Sequence, residues 1–378
     1  MTSGLERSVA AILRAQHAEG AFVASPDFAQ YRYCWLRDGS FTAYSLDRAG
    51  EVGAAERFHM WCAAAVSGVA GLISRAIERK AAGEPIERSA MPPARFSLEG
   101  TAVNDDWPNF QVDGYGTWLW SLHQHFQKVD EQSLPAELLP AVRSTAAYLS
   151  EFGTTPCFDV WEEDGASVHT STLGCVYAGL RAAAAMLGEA ELEHRAAQVR
   201  ELLLGQARAT GRFRKSDRSP SVDASLLWLC EPFHVVDPDD PFYNETVREI
   251  SARLVFEGGA RRYPEDTYYG GGSWPVLTAS LGWYYASAGD RAAATRCRDW
   301  VAAHFDEKGR LAEQFGGEKR DPAHYSQWVD RWGPPAADLV WSHAMYVVLE
   351  FELDAYARAT GPTKPSSNAS SITTSSPN

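Results

Sequence analysis

Nowhere among the 378 residues does an uninterrupted apolar run reach the length of a membrane span, so no part of the chain is expected to cross a bilayer. Cysteine is scarce. The six thiols, Cys34, Cys62, Cys157, Cys175, Cys230 and Cys297, form no CxxC pair and no metal-ligand spacing. They read as reduced and buried, although Cys34 lies in a motif described below, where a pocket-lining role competes with plain burial. A secretion leader is also missing: Met1 to Arg14 mixes acidic and basic residues with apolar ones at helical spacing, and a cytoplasmic location is expected. Positive charge is short as well, with 35 Lys and Arg against 49 Asp and Glu and a net charge of -14. Nucleic acid is therefore excluded as a partner, for want of a basic stripe to neutralise phosphates. Gly270-Gly271-Gly272 is followed by no lysine, so it is not a phosphate loop. His123 and His125 stand two apart and cannot share a helix face; no metal or cofactor is expected.

What the chain does hold is a large apolar fraction, 45%, and an aromatic share of 12% that includes 13 Trp and 15 Tyr. That is enough to bury a sizeable core. Bulky rings serve either such a core or a carbohydrate pocket, where they stack on the apolar faces of sugars. Composition does not choose between the two.

Helical periodicity dominates and strand-like alternation is scarce. The spacing predicts helices over Leu5–Ala18, Ser40–Ala49, Ala54–Arg79, Gly116–Val129, Pro135–Phe152 and Ser171–Leu187. Others follow over Leu192–Ala207, Asp223–Leu229, Tyr243–Leu254, Ser273–Ala288, Arg291–Phe305 and Leu339–Ala359, about twelve in all. Long loops rich in Gly, Pro, Asp and aromatics separate them, at Phe22–Trp35, Phe96–Asp113, Phe158–His169, Arg261–Trp274 and Leu311–Pro335. Long ordered loops usually carry function. Helical hairpins with their loops gathered at one end suggest a barrel of six pairs with a pocket at that end. An open solenoid is the alternative, but no fixed repeat period supports it. The barrel is expected over residues 1–360, and the Ser/Thr/Pro-rich tail 361–378 is expected to be disordered.

Two carboxylates stand out in the aromatic loops. Glu162 follows Trp161 and precedes Glu163, where desolvation and like-charge repulsion both raise a pKa and suit a general acid. Acidic pairs near a helix start also serve the helix dipole, so this signal is weak by itself. Glu313, in Ala312-Glu313-Gln314 ahead of Trp328 and Trp332, suits a base that activates water, or else an ordinary surface position. Three clusters shift the balance. Tyr31-Arg32-Tyr33-Cys34-Trp35-Leu36-Arg37-Asp38 joins aromatics to an Arg-Asp pair able to donate to and accept from neighbouring sugar hydroxyls. Trp107 to Gly116 offers a stacking ring and a turn, and Arg261 to Trp274 repeats that chemistry around three glycines. Asp223 reads as a helix cap, and His343, after Trp341-Ser342, as a brace for the pocket.

In the order YxYxWxRD, WxxxQxDG, DxWEE, RYPEDTYY…W, AEQ and WSHA, these segments resemble glycoside hydrolase family 15, the glucoamylase and glucodextranase family, over nearly the whole chain. The resemblance implies an (α/α)6 barrel. It also implies that Glu162 is the general acid and Glu313 the general base, that Arg37 and Asp38 hold the non-reducing glucose, and that Tyr31 faces the cationic transition state. Trp107 and Trp161 match pocket walls, and Glu163 and Arg262 match contacts beyond the scissile bond; Trp35 and Trp274 complete the expected substrate-binding set. Arg261 and Gly271-Gly272-Ser273 depart from the pattern of fungal members, near the outer subsite. Neither the β-sandwich that often precedes the barrel in bacterial members nor a starch-binding module is expected. The implied activity is inverting exo-hydrolysis of short α-glucosides, isomaltose first, with α-1,4-linked maltose and trehalose as alternatives. A phosphorylase, or a sugar-binding barrel without catalysis, are the rivals from other classes.

Overall fold

The computed structural model describes residues 3–103, 105–130 and 133–360, with backbone alone for 356–360. The tail 361–378 lies outside the described residues. Along the chain run α1 (Gly4–Arg14), β1 (Cys34–Trp35), α2 (Leu36–Ala49), α3 (Val52–Gly68), α4 (Ala70–Ala81) and β2 (Arg95–Phe96). Next come α5 (Asp113–Val129), α6 (Leu139–Phe152), α7 (Thr170–Leu187), α8 (Ala190–Thr210), a 3₁₀ turn at Ala224–Leu229, and α9 (Pro241–Leu254). The last part holds β3 (Val255–Phe256), β4 (Gly259–Ala260), α10 (Pro275–Ser287), α11 (Arg291–Ala303), α12 (Gly317–Arg320), α13 (Pro322–Trp332) and α14 (Val340–Thr360). Two small antiparallel ribbons, β1–β2 and β3–β4, account for these strands.

The helices close into a ring. α2 packs on α5, α5 on α7, α7 on the 3₁₀ turn, that turn on α10, α10 on α14, and α14 back on α2. Outside it, α1 covers α14, α3 covers α2, α6 covers α5 and α7, α8 covers α7, α9 covers the 3₁₀ turn and α11 covers α10. Six inner and six outer members make an (α/α)6 barrel. Inner helices are surrounded, so most residues of α5, α7 and α10 are buried, whereas the outer α8 buries only Leu192, Ala196, Val199, Leu203 and Ala207. That is the stripe expected of a helix with one wet face. Glycine sets the closest inner crossing: a Cβ on Gly179 would sit 2.6 Å from Gly116 Cα, and one on Gly116 would sit 2.3 Å from the Cys175 carbonyl. The axis of the barrel is filled by rings, with Phe41 5.5 Å from both Trp228 and Trp341.

Three expectations change. The long helix Ala54–Arg79 is two helices, α3 and α4, bent by 51° at Val69, whose φ and ψ of -107° and 6° leave the helical region. The expected helix Asp223–Leu229 is a 3₁₀ turn, too short to complete an α-helical ladder, yet it occupies an inner position of the ring. The expected loop Leu311–Pro335 folds into α12 and α13. Asp321 caps α13 by accepting from the His324 N–H, Pro322 takes its first position and Gly333 ends it. Packing of both helices on the turn at Tyr268–Gly270 keeps the pair in place, and its Gly- and Pro-flanked ends read as loop in the sequence.

Candidate active site

The inner helices all begin at one end of the barrel, and the loops before them build a cavity of about 560 Å³. Such a volume suits a small ligand. Arg37 and Asp38 lie in the first turn of α2, Trp274 is the residue before Pro275 in α10, and Trp341 is in the first turn of α14. All eleven residues singled out from the sequence line this cavity: Tyr31, Trp35, Arg37, Asp38, Trp107, Trp161, Glu162, Glu163, Arg262, Trp274 and Glu313. Arg261 does not; its guanidinium lies over the exposed Phe256 ring, 4.5 Å from the centroid. Cys34 is fully buried behind the wall instead of in it, and all six cysteines are free and buried.

Glu162 sits in a tight turn with φ at +68°, a left-handed conformation that costs a non-glycine residue energy and is held only where its surroundings dictate it. Asp159 does the dictating. One of its carboxylate oxygens accepts from the N–H groups of Trp161 at 3.0 Å and Glu163 at 2.8 Å, while its carbonyl accepts from the Glu162 N–H at 2.9 Å. Lys215 balances the buried Asp159 at 3.3 Å and Asp223 at 3.2 Å. Asp223 caps the 3₁₀ turn as expected and also accepts from Trp161 Nε1 at 2.9 Å, which orients the ring beside Glu162. The Glu162 carboxylate is itself aimed: Trp35 Nε1 donates to Oε1 at 2.5 Å and Gln111 Nε2 donates to the same oxygen at 3.1 Å. Oε2 is thereby left as the position for an acid proton.

Glu313 is buried, and burial pushes its carboxyl up to about 7 against the opposing hydrogen bond from Tyr31 and the charge of Arg262. Tyr31 Oη donates to Oε1 at 2.8 Å and lies 2.9 Å from Tyr268 Oη. Oε2 is buried with no partner in the protein, an acceptor free for a water. The approach of two loops makes this possible. Gly272 N–H donates to Gln314 Oε1 at 2.9 Å, and Ser273 bridges Phe315. A Cβ on Gly272 would meet the Phe315 carbonyl at 2.6 Å, so glycine there serves close packing. His343 braces the same segment, its Nε2 lying 3.2 Å from the Leu311 N–H.

Between the two glutamates, the rings of Tyr31 and Trp35 meet edge to face at 5.7 Å. Each ring reaches a different carboxylate, so the acids flank one aromatic pair and do not bond to each other. At the floor, Arg37 donates to Asp113 at 2.9 Å and to Gln111 at 3.3 Å. Its Nε stands 3.3 Å from Oδ2 of neighbouring Asp38, a buried ion pair that sets a donor and an acceptor side by side. Burial, opposed by Arg37, raises Asp38 to about 6. At the opposite wall, Arg262 is clamped by Asp266 through two bonds, reaches Glu163 at 3.1 Å, and is ringed by Trp161, Tyr268 and Trp274. Trp328, Arg331 and Trp332 of α13 line the rim.

Sequence reading passed over Asp113, Asp159, Lys215, Asp266 and Tyr268 as functional, and assigned Gln111 no role. Gln111, Asp113, Asp159, Asp266 and Tyr268 stood inside the quoted motifs; Lys215 gave no signal, since nothing near it in sequence points to its pairing with the remote Asp159.

Residues 2–305 match the glycosyl hydrolases family 15. The chain belongs to that family. The match ends short of Glu313, but full-length relatives extend beyond it. An isomaltose glucohydrolase from Kribbella flavida is 39% identical over 92% of this chain and 91% of its own. A glycosidase solved in complex with glucose superimposes with a TM-score of 0.89 at 37% identity, covering 93% of this chain and 96% of that one. The glucoamylase of Saccharomycopsis fibuligera shares the fold, with a TM-score of 0.70 at 14% identity over 93% of this chain and 94% of that one. Family 15 membership thus makes the chain a glycoside hydrolase built as an (α/α)6 barrel.

Proposed function

We propose that this family 15 hydrolase acts with inversion at the non-reducing end of short α-1,6-linked gluco-oligosaccharides such as isomaltose, releasing β-glucose. The observation that carries the reading is the pair of glutamates in one cavity, one with a protonatable oxygen left over and one with an unpartnered buried acceptor. The terminal glucose binds with its hydroxyls on Arg37 and Asp38. Glu162 Oε2 gives its proton to the glycosidic oxygen as the C1–O bond breaks. A water on the other face of the sugar attacks C1 and passes its proton to Glu313 Oε2. Separation of the acids by the Tyr31–Trp35 pair supports inversion, which needs a gap of roughly 6.5–9.5 Å to seat that water. The Tyr31 oxygen and the ionised Glu313 stabilise positive charge developing on the sugar ring.

Kinship to the Kribbella isomaltose glucohydrolase supports the linkage. A carboxylate at Glu313 favours water over phosphate as nucleophile. Six free, buried thiols support a reducing cytoplasmic setting. The test is proton NMR of the nascent sugar across isomaltose, maltose, trehalose and longer α-1,6 glucosides. Expected is β-glucose, fastest from α-1,6 substrates. First-formed α-glucose would overturn inversion, and maltose or trehalose turning over faster would overturn the linkage.

A further inference from the structure

Away from the cavity, three buried side chains from three helices converge: Asp47 of α2, His59 of α3 and His125 of α5. Asp47 lies about 14 Å down the α2 axis from Asp38, at 1.5 Å per residue, so this cluster is separate from the sugar site. His125 Nδ1 is 2.9 and 3.1 Å from the two carboxylate oxygens of Asp47. The His59 ring stands 5.1 Å from that of His125, and neither of its nitrogens has a hydrogen-bond partner although both are buried. One ligand atom from each residue lies within 4.8 Å of the others.

A buried imidazole with two unsatisfied nitrogens is costly, and native structures leave such a group only for a reason such as a bound ion or water. Two imidazoles and a carboxylate are the donor set of a zinc-class ion that keeps a water as fourth ligand. Ligand atoms in such a tetrahedron stand roughly 3.3 Å apart, given bonds near 2.0 Å, so closure requires shifts of about 1 Å. The geometry points to Asp47, His59 and His125 as a divalent transition-metal site that pins α2, α3 and α5 together. His123, two residues from His125, plays no part; it lies at a surface depression with Gln124 and Arg181.

The full chain, prepared without a histidine tag and stripped with chelator, is titrated with zinc chloride and separately with cobalt chloride. Both titrations are run on native protein and on protein refolded with the metal, because the site is enclosed. Expected are one zinc per chain by elemental analysis after gel filtration, the visible absorption of four-coordinate cobalt, and a melting point raised by about 3 °C at a hundredfold excess over Kd. His59→Phe, which keeps the ring volume, and Asp47→Asn each abolish uptake and leave glucoside hydrolysis intact. The inference fails if stripped wild-type protein takes up zinc in neither form. It also fails if His59→Phe, or Asp47→Asn should that variant alone fold, retains wild-type stoichiometry, which would assign binding to surface histidines.

Discussion

Replacing Glu313 by Gln separates the catalytic demand on this residue from its cost to the fold. Burial raises the carboxyl from 4.5 to about 7, which corresponds to about 3.4 kcal/mol of differential stabilisation of the protonated form. The sign follows from the direction of the shift. The folded protein binds the proton more tightly than the unfolded chain does, so the carboxyl's contribution is fully present below pH 4.5 and is lost as pH rises to about 7. Glutamine does not ionise, and its carbonyl still accepts from Tyr31. Glu313→Gln is therefore expected to match the wild type in stability near pH 4.5 and to exceed it by about 3 kcal/mol above pH 7. With an unfolding entropy of roughly 0.8 kcal/mol per kelvin for a chain this long, the difference is about 4 °C in Tm. Activity falls by about a thousandfold, within the 10² to 10⁴ range of a lost general base. Calorimetry at pH 4.5, 6 and 8, alongside initial rates on isomaltose, reads both. A Tm difference that stays constant across that span would refute the burial argument, and retained activity would refute the role.

Four further outcomes follow from the same geometry. Glu162→Gln should cut turnover of isomaltose by about 10² to 10⁴ while sparing α-glucosyl fluoride, whose leaving group needs no protonation; equal losses on both substrates would remove Glu162 from the acid role. Tyr31→Phe deletes the hydroxyl that lowers the Glu313 pKa. The acid limb of kcat/KM should therefore move to higher pH, and an unmoved limb would contradict the Tyr31–Glu313 bond. Asp266→Ala leaves the buried Arg262 with only the half-buried Glu163 and should cost about 3 kcal/mol in urea unfolding; a loss under 1 kcal/mol would show the clamp to be dispensable. Gly179→Ala forces a methyl against Gly116 in the inner ring and should destabilise by about 1–3 kcal/mol, measured by the same unfolding curves.

The aromatic surplus resolves into both of its readings. Phe41, Trp118, Trp120 and Trp228 fill the barrel, while Trp35, Trp107, Trp161 and Trp274 wall the cavity. Motif residues could be picked out beforehand because they sit in the Gly-, Pro- and aromatic-rich loops that precede inner helices, where turn chemistry and aromatics cluster in sequence. Their supports were harder. Lys215 acts on Asp159 from a remote stretch of chain, where no local pattern marks it; Tyr268 stood in a quoted motif, but nothing local showed that it would meet Tyr31.

From the linear chain alone came the helical period, the placement of most loops, and the carboxylate, arginine and tryptophan identities of the pocket. These rest on local backbone preference and on side-chain chemistry, which need no neighbours from afar. Tertiary structure alone decided the rest: that a short 3₁₀ turn completes the ring, that α13 roofs the cavity, and that burial sets Glu313 near 7. It also decided that His125 faces Asp47 and His59 instead of His123. Each of these depends on which surfaces lose water together, and that is settled only when the barrel closes.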